Sequence, residues 1–188
     1  MKSTHNMVRG RTGYTLVEMM MVVGLLGVLT SMAVLQMAAS RPGMIGDAGM
    51  RVIMSELNSA RENAIAQRRT MVITFGASSI RVTRNNFPVG TTILRDVPLE
   101  SGLRFGVLAG SSDTPDAFGN GAATSFGGAA TIMFNTDGAL IDLTGAPVNG
   151  SVFILFPGLA QSYRAVTVLG ATGRVRGYRW TGARWTRV

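Results

Sequence analysis

Cysteine is missing from this 188-residue chain, and histidine and lysine occur once each. Without thiols there is no disulfide framework and no thiolate chemistry, although an oxidising compartment stays open because many exported proteins avoid cysteine. The one histidine, His5, lies in the N-terminal head, which excludes histidine-based catalysis and the common zinc sites from the folded part. Carboxylates run out early. After Asp142 the remaining 46 positions hold Arg164, Arg174, Arg176, Arg179, Arg184 and Arg187 and no acidic residue, a field of one sign. The carboxylates that exist do not assemble into an acid–base pair. Glu56 and Glu62 are six apart and face differently on a helix, Asp113 and Asp116 fall in a flexible stretch, and Asp137-Gly138 reads as a turn. No enzyme activity, cofactor or metal centre is expected.

What the chain has in quantity is apolar surface and arginine. Its apolar fraction of 46% is ample for one packed domain, and its net charge of +8 rests on 17 arginines and Lys2. Residues 19–39 carry no charge, and 21 residues rising about 1.5 Å each match the roughly 30 Å core of a bilayer. Lys2, Arg9 and Arg11 precede this run. The positive-inside bias therefore puts the N-terminus in the cytoplasm and everything from Arg41 onward outside, which for a bacterium is the periplasmic side of the inner membrane. That outer part holds 15 basic against 9 acidic residues, net +6, and is itself basic. One carboxylate, Glu18, stands at the start of the apolar run, where it costs somewhat less than the roughly 2.5–3.5 kcal/mol of a mid-membrane charge but still needs a partner.

The stretch Gly13-Tyr14-Thr15-Leu16-Val17-Glu18, after a short basic leader and before the apolar helix, resembles the class III signal of type IV pilins and of the pseudopilins of type II secretion. The resemblance implies cleavage after Gly13 by a prepilin peptidase, N-methylation of Tyr14 as the new N-terminus, and assembly with other pilins through Glu18. Tyr14 stands where the family usually has phenylalanine and keeps an aromatic there. Cleavage would free an amine one helical turn before Glu18, on this subunit or an adjacent one, and so supply the missing cation. Gly24 and Gly27 would let helices approach closely.

Beyond the anchor, Arg41-Pro42-Gly43 predicts a helix interruption, and Gly43, Gly46 and Gly49 a flexible joint. Helical spacing resumes with Ile53, Leu57, Ala60 and Ala64, joined by Ile65, and ends near Arg69. Strand-like alternation follows at 70–75, 79–84, 91–97, 103–107, 131–135, 152–156, 164–169 and 174–180. Residues 108–130, rich in Gly, Ala, Ser, Thr and Asp, read as a mobile surface loop. The expected organisation is a leader (1–13), a membrane stem (14–40), a hinge (41–49) and a globular domain (50–188). Its class is α+β, with an amphipathic helix packed on antiparallel sheets. The runs "SELNSARENAIAQRRTMVITF", "TIMFNTDG" and "VTVLGATGRVR" are similar to segments of the GspH/FimT branch, the H-type pseudopilins and related minor pilins, which implies the pilin-like fold.

The C-terminal hairpin carries the remaining site. Period two puts Arg174, Arg176, Tyr178 and Trp180 on one face of a strand and Val175 on the other; a core-facing valine turns the arginines outward. With Arg179, Arg184 and Trp185 nearby, cations and stacking rings would together form a nucleic-acid surface, the alternative being a solvated strand face with the aromatics packed on the domain. Gly173-Arg174-Val175-Arg176 also matches a Gly-Arg-x-Arg motif through which some FimT-like minor pilins bind incoming DNA. Two function classes follow from the resemblance: a structural subunit of a secretion pseudopilus or type IV pilus, and a DNA-capturing pilin. An ordinary secretory signal would instead be cut near Ser40. N-terminal sequencing of the mature chain separates the two kinds of processing: a methylated Tyr14 start is expected, and an unmethylated start near Ser40 rejects the pilin-type signal.

Overall fold

A computed structural model describes residues 13–86, 88–129 and 131–188. Lys2, His5, Arg9 and Arg11 lie outside the described residues. The chain divides into two compact units, residues 1–40 and 41–188. In the first, helix α1 (Leu16–Gln67) begins at Thr15, whose Oγ1 accepts a hydrogen bond from the Glu18 amide at 3.2 Å. This is an N-cap, and it satisfies one of the orphan donors of the first turn. The segment Leu16–Val34 is long and apolar enough to cross a membrane, with a mean hydropathy of 2.0, and none of it is buried by protein.

Helical structure continues through Pro42, where the sequence predicts an interruption. A proline inside a helix removes one hydrogen bond and crowds the preceding turn, at a cost of about 3 kcal/mol. Packing directly after it holds the helical backbone. Gly46 and Gly49 are buried, and the reason they are glycine is close approach: a Cβ on Gly46 would lie 2.3 Å from the Ser162 carbonyl oxygen, and one on Gly49 2.3 Å from Leu103 Cδ1. These two glycines therefore seat the helix on the domain, which corrects the reading of 43–49 as a flexible joint. At its other end α1 stops in a Schellman arrangement. Arg68 is left-handed at φ 49°, and the amides of Arg68 and Arg69 donate to the carbonyls of Ile65 and Ala64.

Among the described residues the second unit carries eleven strands: β1 (Met71–Phe75), β2 (Ser79–Asn85), β3 (Thr91–Pro98), β4 (Arg104–Phe105), β5 (Thr124–Ser125), β6 (Ile132–Phe134), β7 (Leu140–Ile141), β8 (Gly150–Phe156), β9 (Leu159–Leu169), β10 (Arg174–Trp180) and β11 (Trp185–Arg187). They form two antiparallel sheets, ordered β3-β2-β1-β6-β7 and β11-β10-β9-β8-β4, with β5 also paired to β8. The eight predicted strands are all present; β5, β7 and β11 are two- or three-residue additions that periodicity does not resolve. Ile53, Leu57, Ala60 and Ala64 are fully buried among Met71, Ile73, Ile80 and Phe134 of the first sheet and Val152, Ile154, Val166 and Val168 of the second. One helix thus serves both sheets. Ile65 stays partly exposed and lies over the turn at Gly138.

The second sheet is covered on both faces. Arg164, Val166 and Val168 of β9 face α1, while Tyr163, Ala165 and Thr167 face residues 107–125. This corrects the mobile-loop reading of 108–130. Val107 and Leu108 pack on the aromatic cluster, Thr114 is buried, and Phe126 fills the space above Gly150, where a Cβ would come within 1.9 Å of its ring. The Asp113 carboxylate accepts from the amides of Thr114 and Gly119, and Asn120 donates to the Ser111 carbonyl. Such bonds replace the ladder that a strand would have had.

Gly46→Ala should be destabilising because the opposing atom is backbone. Overpacking of this kind costs about 1–3 kcal/mol, so a lowered melting temperature is expected in thermal unfolding of the chain in detergent. A wild-type melt would mean that the helix can lift off β9 at no cost.

Candidate functional site

Two regions carry the predicted site residues. In the first unit, Gly13 and Tyr14 are exposed just ahead of the helix, and Glu18 is exposed in its first turn. Thr15-Leu16-Val17-Glu18 has the spacing of a capping box, with Thr15 at the N-cap and Glu18 at the third helical position. The carboxylate also lies at the positive end of the helix dipole. A carboxylate at this position favours the start of a helix through the dipole alone, whatever pairing it makes later. The Glu18 side chain has no ion-pair partner among the described residues.

In the second unit the C-terminal arginines divide by face. Arg174, Arg176, Tyr178 and Trp180 do share one face of β10, and Val175 does turn toward the helix side. The shared face is not open to solvent, however, and this changes what its residues do. Asp116, from the covering segment, ion-pairs with Arg176 Nη1 and accepts from Thr167 Oγ1 at 2.6 Å and from Tyr178 Oη at 2.8 Å. Trp180 and Trp185 are buried with Phe153 and Tyr163, the two indoles 5.1 Å apart and edge-on, and Trp185 Nε1 donates to the Ser112 carbonyl. The stacking platform expected for DNA is thus interior packing. Gly173 also has a structural reason: it is left-handed at φ 62°, and a Cβ there would meet the Gly138 carbonyl oxygen at 2.1 Å.

Arg179 lies on the opposite face. Its Nη2 reaches Asp47 Oδ2 of α1 at 2.6 Å, and Arg164 Nε reaches Asp47 Oδ1 at 2.6 Å. Arg164 is buried, and its other nitrogens donate to the carbonyls of Gly43, Gln161 and Tyr163. Arg174 and Arg184 remain exposed, and their guanidinium groups make no hydrogen bond or ion pair among the described residues. Sequence reasoning missed Asp47 and Asp116, the two carboxylates that bind the arginine-rich strands from other parts of the chain.

Both carboxylates are held ionised. Burial opposes the charge of Asp47, but hydrogen bonds from and attraction to Arg164 and Arg179 outweigh it and keep its pKa below the ordinary value of 3.8. For Asp116 burial likewise opposes, and the hydroxyls of Thr167 and Tyr178 together with the Arg176 charge bring its pKa down. Burial, then the hydrogen bond to Asp116, pushes the Tyr178 phenol up, so it stays a donor.

The profile of the prokaryotic N-terminal methylation motif matches residues 8–34, the span that contains Gly13, Tyr14, Glu18 and the apolar half of the anchor. The chain carries a prokaryotic N-terminal methylation motif. Around this motif, similarity to known proteins is remote. The type IV minor pilin FimU of Pseudomonas aeruginosa PAO1 is 14% identical, with 69% of this chain and 84% of that chain covered at a TM-score of 0.47. The minor pseudopilin EpsH of the Vibrio cholerae type 2 secretion system is 15% identical, with 71% and 94% covered at 0.45. No curated protein sequence matches the chain.

A carboxylate whose pKa is lowered on folding stabilises above its unfolded value, and the contribution is lost as pH falls through the lowered value. Unfolding free energy is therefore expected to hold down to about pH 4 and to fall below it. Asp47→Asn should destabilise at neutral pH by about 3–5 kcal/mol, the usual result of stranding a buried charge, here Arg164. Asp116→Asn should cost less because Arg176 still reaches water. Both variants should lose part of the acid dependence in pH-resolved melts, and unchanged acid profiles would show that these pairs contribute nothing to folding.

Proposed function

We propose that this chain is a minor pilin or pseudopilin, a structural subunit that is made as a membrane precursor, processed and then built into a filament. The observation that carries the reading is the methylation motif at 8–34, seated on a capped helix whose Leu16–Val34 span is long and apolar enough for a bilayer. On this reading a prepilin peptidase and methyltransferase cuts after Gly13 and methylates Tyr14. The precursor sits in the inner membrane with its N-terminus cytoplasmic and residues 41–188 periplasmic. The apolar helix then passes from lipid to the core of a type II secretion pseudopilus or type IV pilus among other pilins. The three clearest sequence likenesses beyond the anchor favour the GspH/FimT branch.

Physical chemistry links the cut to assembly. Before cleavage the carboxylate of Glu18 lies at the positive end of the helix dipole and has no ion-pair partner among the described residues. Afterwards an α-amine stands one helical turn away, on the same or a neighbouring subunit, and it would spare the water-poor filament core the cost of an unpaired buried carboxylate. Capture of double-stranded DNA by the C-terminal hairpin is the second reading. What supports it is the charge of Arg174 and Arg184, both exposed and uncommitted, since Trp180 is packed away and Arg176 and Arg179 are paired with Asp116 and Asp47.

Two substitutions separate the capping role of Glu18 from its charge. Glu18→Gln preserves a capping-box side chain and removes the charge, and Glu18→Ala removes both. Both precursors should be cleaved normally, and both should be poorly incorporated into filaments when sheared fractions are immunoblotted. Wild-type incorporation of Glu18→Gln would show that helix capping, not charge pairing, is what assembly needs.

A further inference from the structure

Within the second unit α1 and β9 run in the same direction. Gly46 lies against Ser162, Asp47 pairs with Arg164, Met50 and Met54 flank Gly177, which is paired with Val166, and Arg61 lies against Gly173, beyond the far end of β9. The β8–β9 turn therefore stands at the end of this unit where α1 enters it. From Ser162 back to Leu159 the strand covers about 10 Å, and from Gly46 back to Arg41 the helix covers about 7.5 Å. The tip of the hairpin thus comes to the level of Arg41.

That tip is apolar, whereas an ordinary surface turn draws on Asn, Asp and Ser beside Gly and Pro. Phe156-Pro157-Gly158-Leu159-Ala160-Gln161 carries no charge, and Pro157, Leu159 and Ala160 are exposed. The tip is also held in shape. Gly158 is left-handed at φ 81°, as the second residue of a Pro-Gly turn must be, and Ser162 Oγ accepts from the Phe156 amide at 2.7 Å and donates to the Leu159 carbonyl at 2.6 Å. On α1, Arg41 and Met44 are exposed at about this level. The adjoining turn at Glu100-Ser101-Gly102, which touches Phe156 through Gly102, is polar.

Chain connectivity puts this level at a bilayer surface. Residues 19–39 are uncharged, and Arg41 is the first charge after them. A headgroup layer is about 5–8 Å deep on each side of the hydrocarbon, which a helix crosses in about three to five residues. We propose that before assembly the β8–β9 turn rests in this layer, with Pro157 and Leu159 at the acyl boundary and Arg41 on lipid phosphate. The domain then touches the membrane at a second point besides its anchor. The inference rests on the reading of the chain as a membrane-anchored precursor. A bilayer suits the tip better than a partner protein does, because a few exposed residues fall far short of the roughly 800 Å² per partner that a stable protein interface buries. Tethered beside the membrane by its own anchor, the tip needs little affinity of its own. An apolar patch with a cation beside it is the chemistry by which interfacial segments hold a lipid surface.

The chain has no cysteine, so single cysteines can carry a fluorophore without background. Leu159→Cys, Met32→Cys and Val89→Cys, all at exposed positions, are labelled with nitrobenzoxadiazole in the full chain. Each is reconstituted in phosphatidylcholine vesicles holding lipid spin-labelled at the headgroup or, separately, along the acyl chain. Met32 lies in the apolar anchor and reports insertion. Val89 lies between β2 and β3, near Arg84, which bonds Gln67 at the far end of α1, and it reports the background. The Met32 probe should lose emission to the acyl label. The Leu159 probe should shift to the blue and lose emission to the headgroup label, and the Val89 probe should do neither. Equal behaviour at 159 and 89 with Met32 quenched would overturn the proposal and leave the anchor standing. A Leu159 probe that is blue-shifted but unquenched would mark a protein contact in place of lipid and overturn it equally. An unquenched Met32 probe would overturn the membrane-anchored reading and this proposal with it.

Discussion

Two arginines face each other across neighbouring strands, Arg164 on β9 and Arg179 on β10, and a single carboxylate, Asp47, accepts from both. Directly opposed like charges destabilise a sheet, and a buried arginine without a counter-charge destabilises it further. With Asp47 present, both costs become a clamp between α1 and the second sheet. The clamp sits one residue beyond Gly46, where the absence of a side chain lets the helix backbone come close enough to Ser162 for the carboxylate to reach. Helix position, sheet pairing and the glycine spacing of 43–49 are parts of one constraint. Removing the carboxylate would strand Arg164, whose remaining bonds are all to backbone carbonyls and neutralise nothing.

Asp116 repeats this solution on the other face of the same sheet. A segment too polar and too glycine-rich to form a core layer nevertheless covers Phe153, Tyr163 and Trp185, because one of its carboxylates is fixed by a guanidinium and two hydroxyls. The basic C-terminal strands are thus neutralised by acids that precede them in the chain, one from the helix and one from the covering segment. The one-sign field visible in the sequence is only partly cancelled in space, since two carboxylates meet three of its six arginines. What survives of it is Arg174, Arg184 and Arg187, all three exposed.

Local pattern made the anchor, the core positions of the helix and the main strands legible. Glycine, aromatic and carboxylate at 13, 14 and 18 are fixed by contiguous chemistry, and Ile53, Leu57, Ala60 and Ala64 by helical period. Alternation also assigned Arg174, Arg176, Tyr178 and Trp180 correctly to one face of β10. The error lay in taking the face opposite Val175 as solvent. The uninterrupted apolar run at 152–156 is the mark of a strand buried on both sides, and it would have required a cover for the second face. No such cue identifies which segment provides the cover. Asp116 meets Arg176 across 60 positions and Asp47 meets Arg164 across 117. Pairings at that range are set by packing and leave no periodic trace.

The helix passing through Pro42 follows the same logic of long-range contacts prevailing over local preference. Proline and three nearby glycines argue for a break when only propensity is counted. Once Gly46, Gly49 and Met50 are buried, the residues after the proline are held helical by the sheet beneath them, and the proline's cost falls on a helix already fixed at its far end. Glycine at these positions makes the close contact possible, so the residues that weaken the isolated helix are the ones that secure it in the fold. The same residue type thus serves opposite ends in the two units. In the anchor, Gly24 and Gly27 meet nothing within 4 Å and leave the surface open to other helices, whereas in the domain the space is already taken, by Ser162 of β9 at Gly46 and by Leu103 and Ile154 at Gly49.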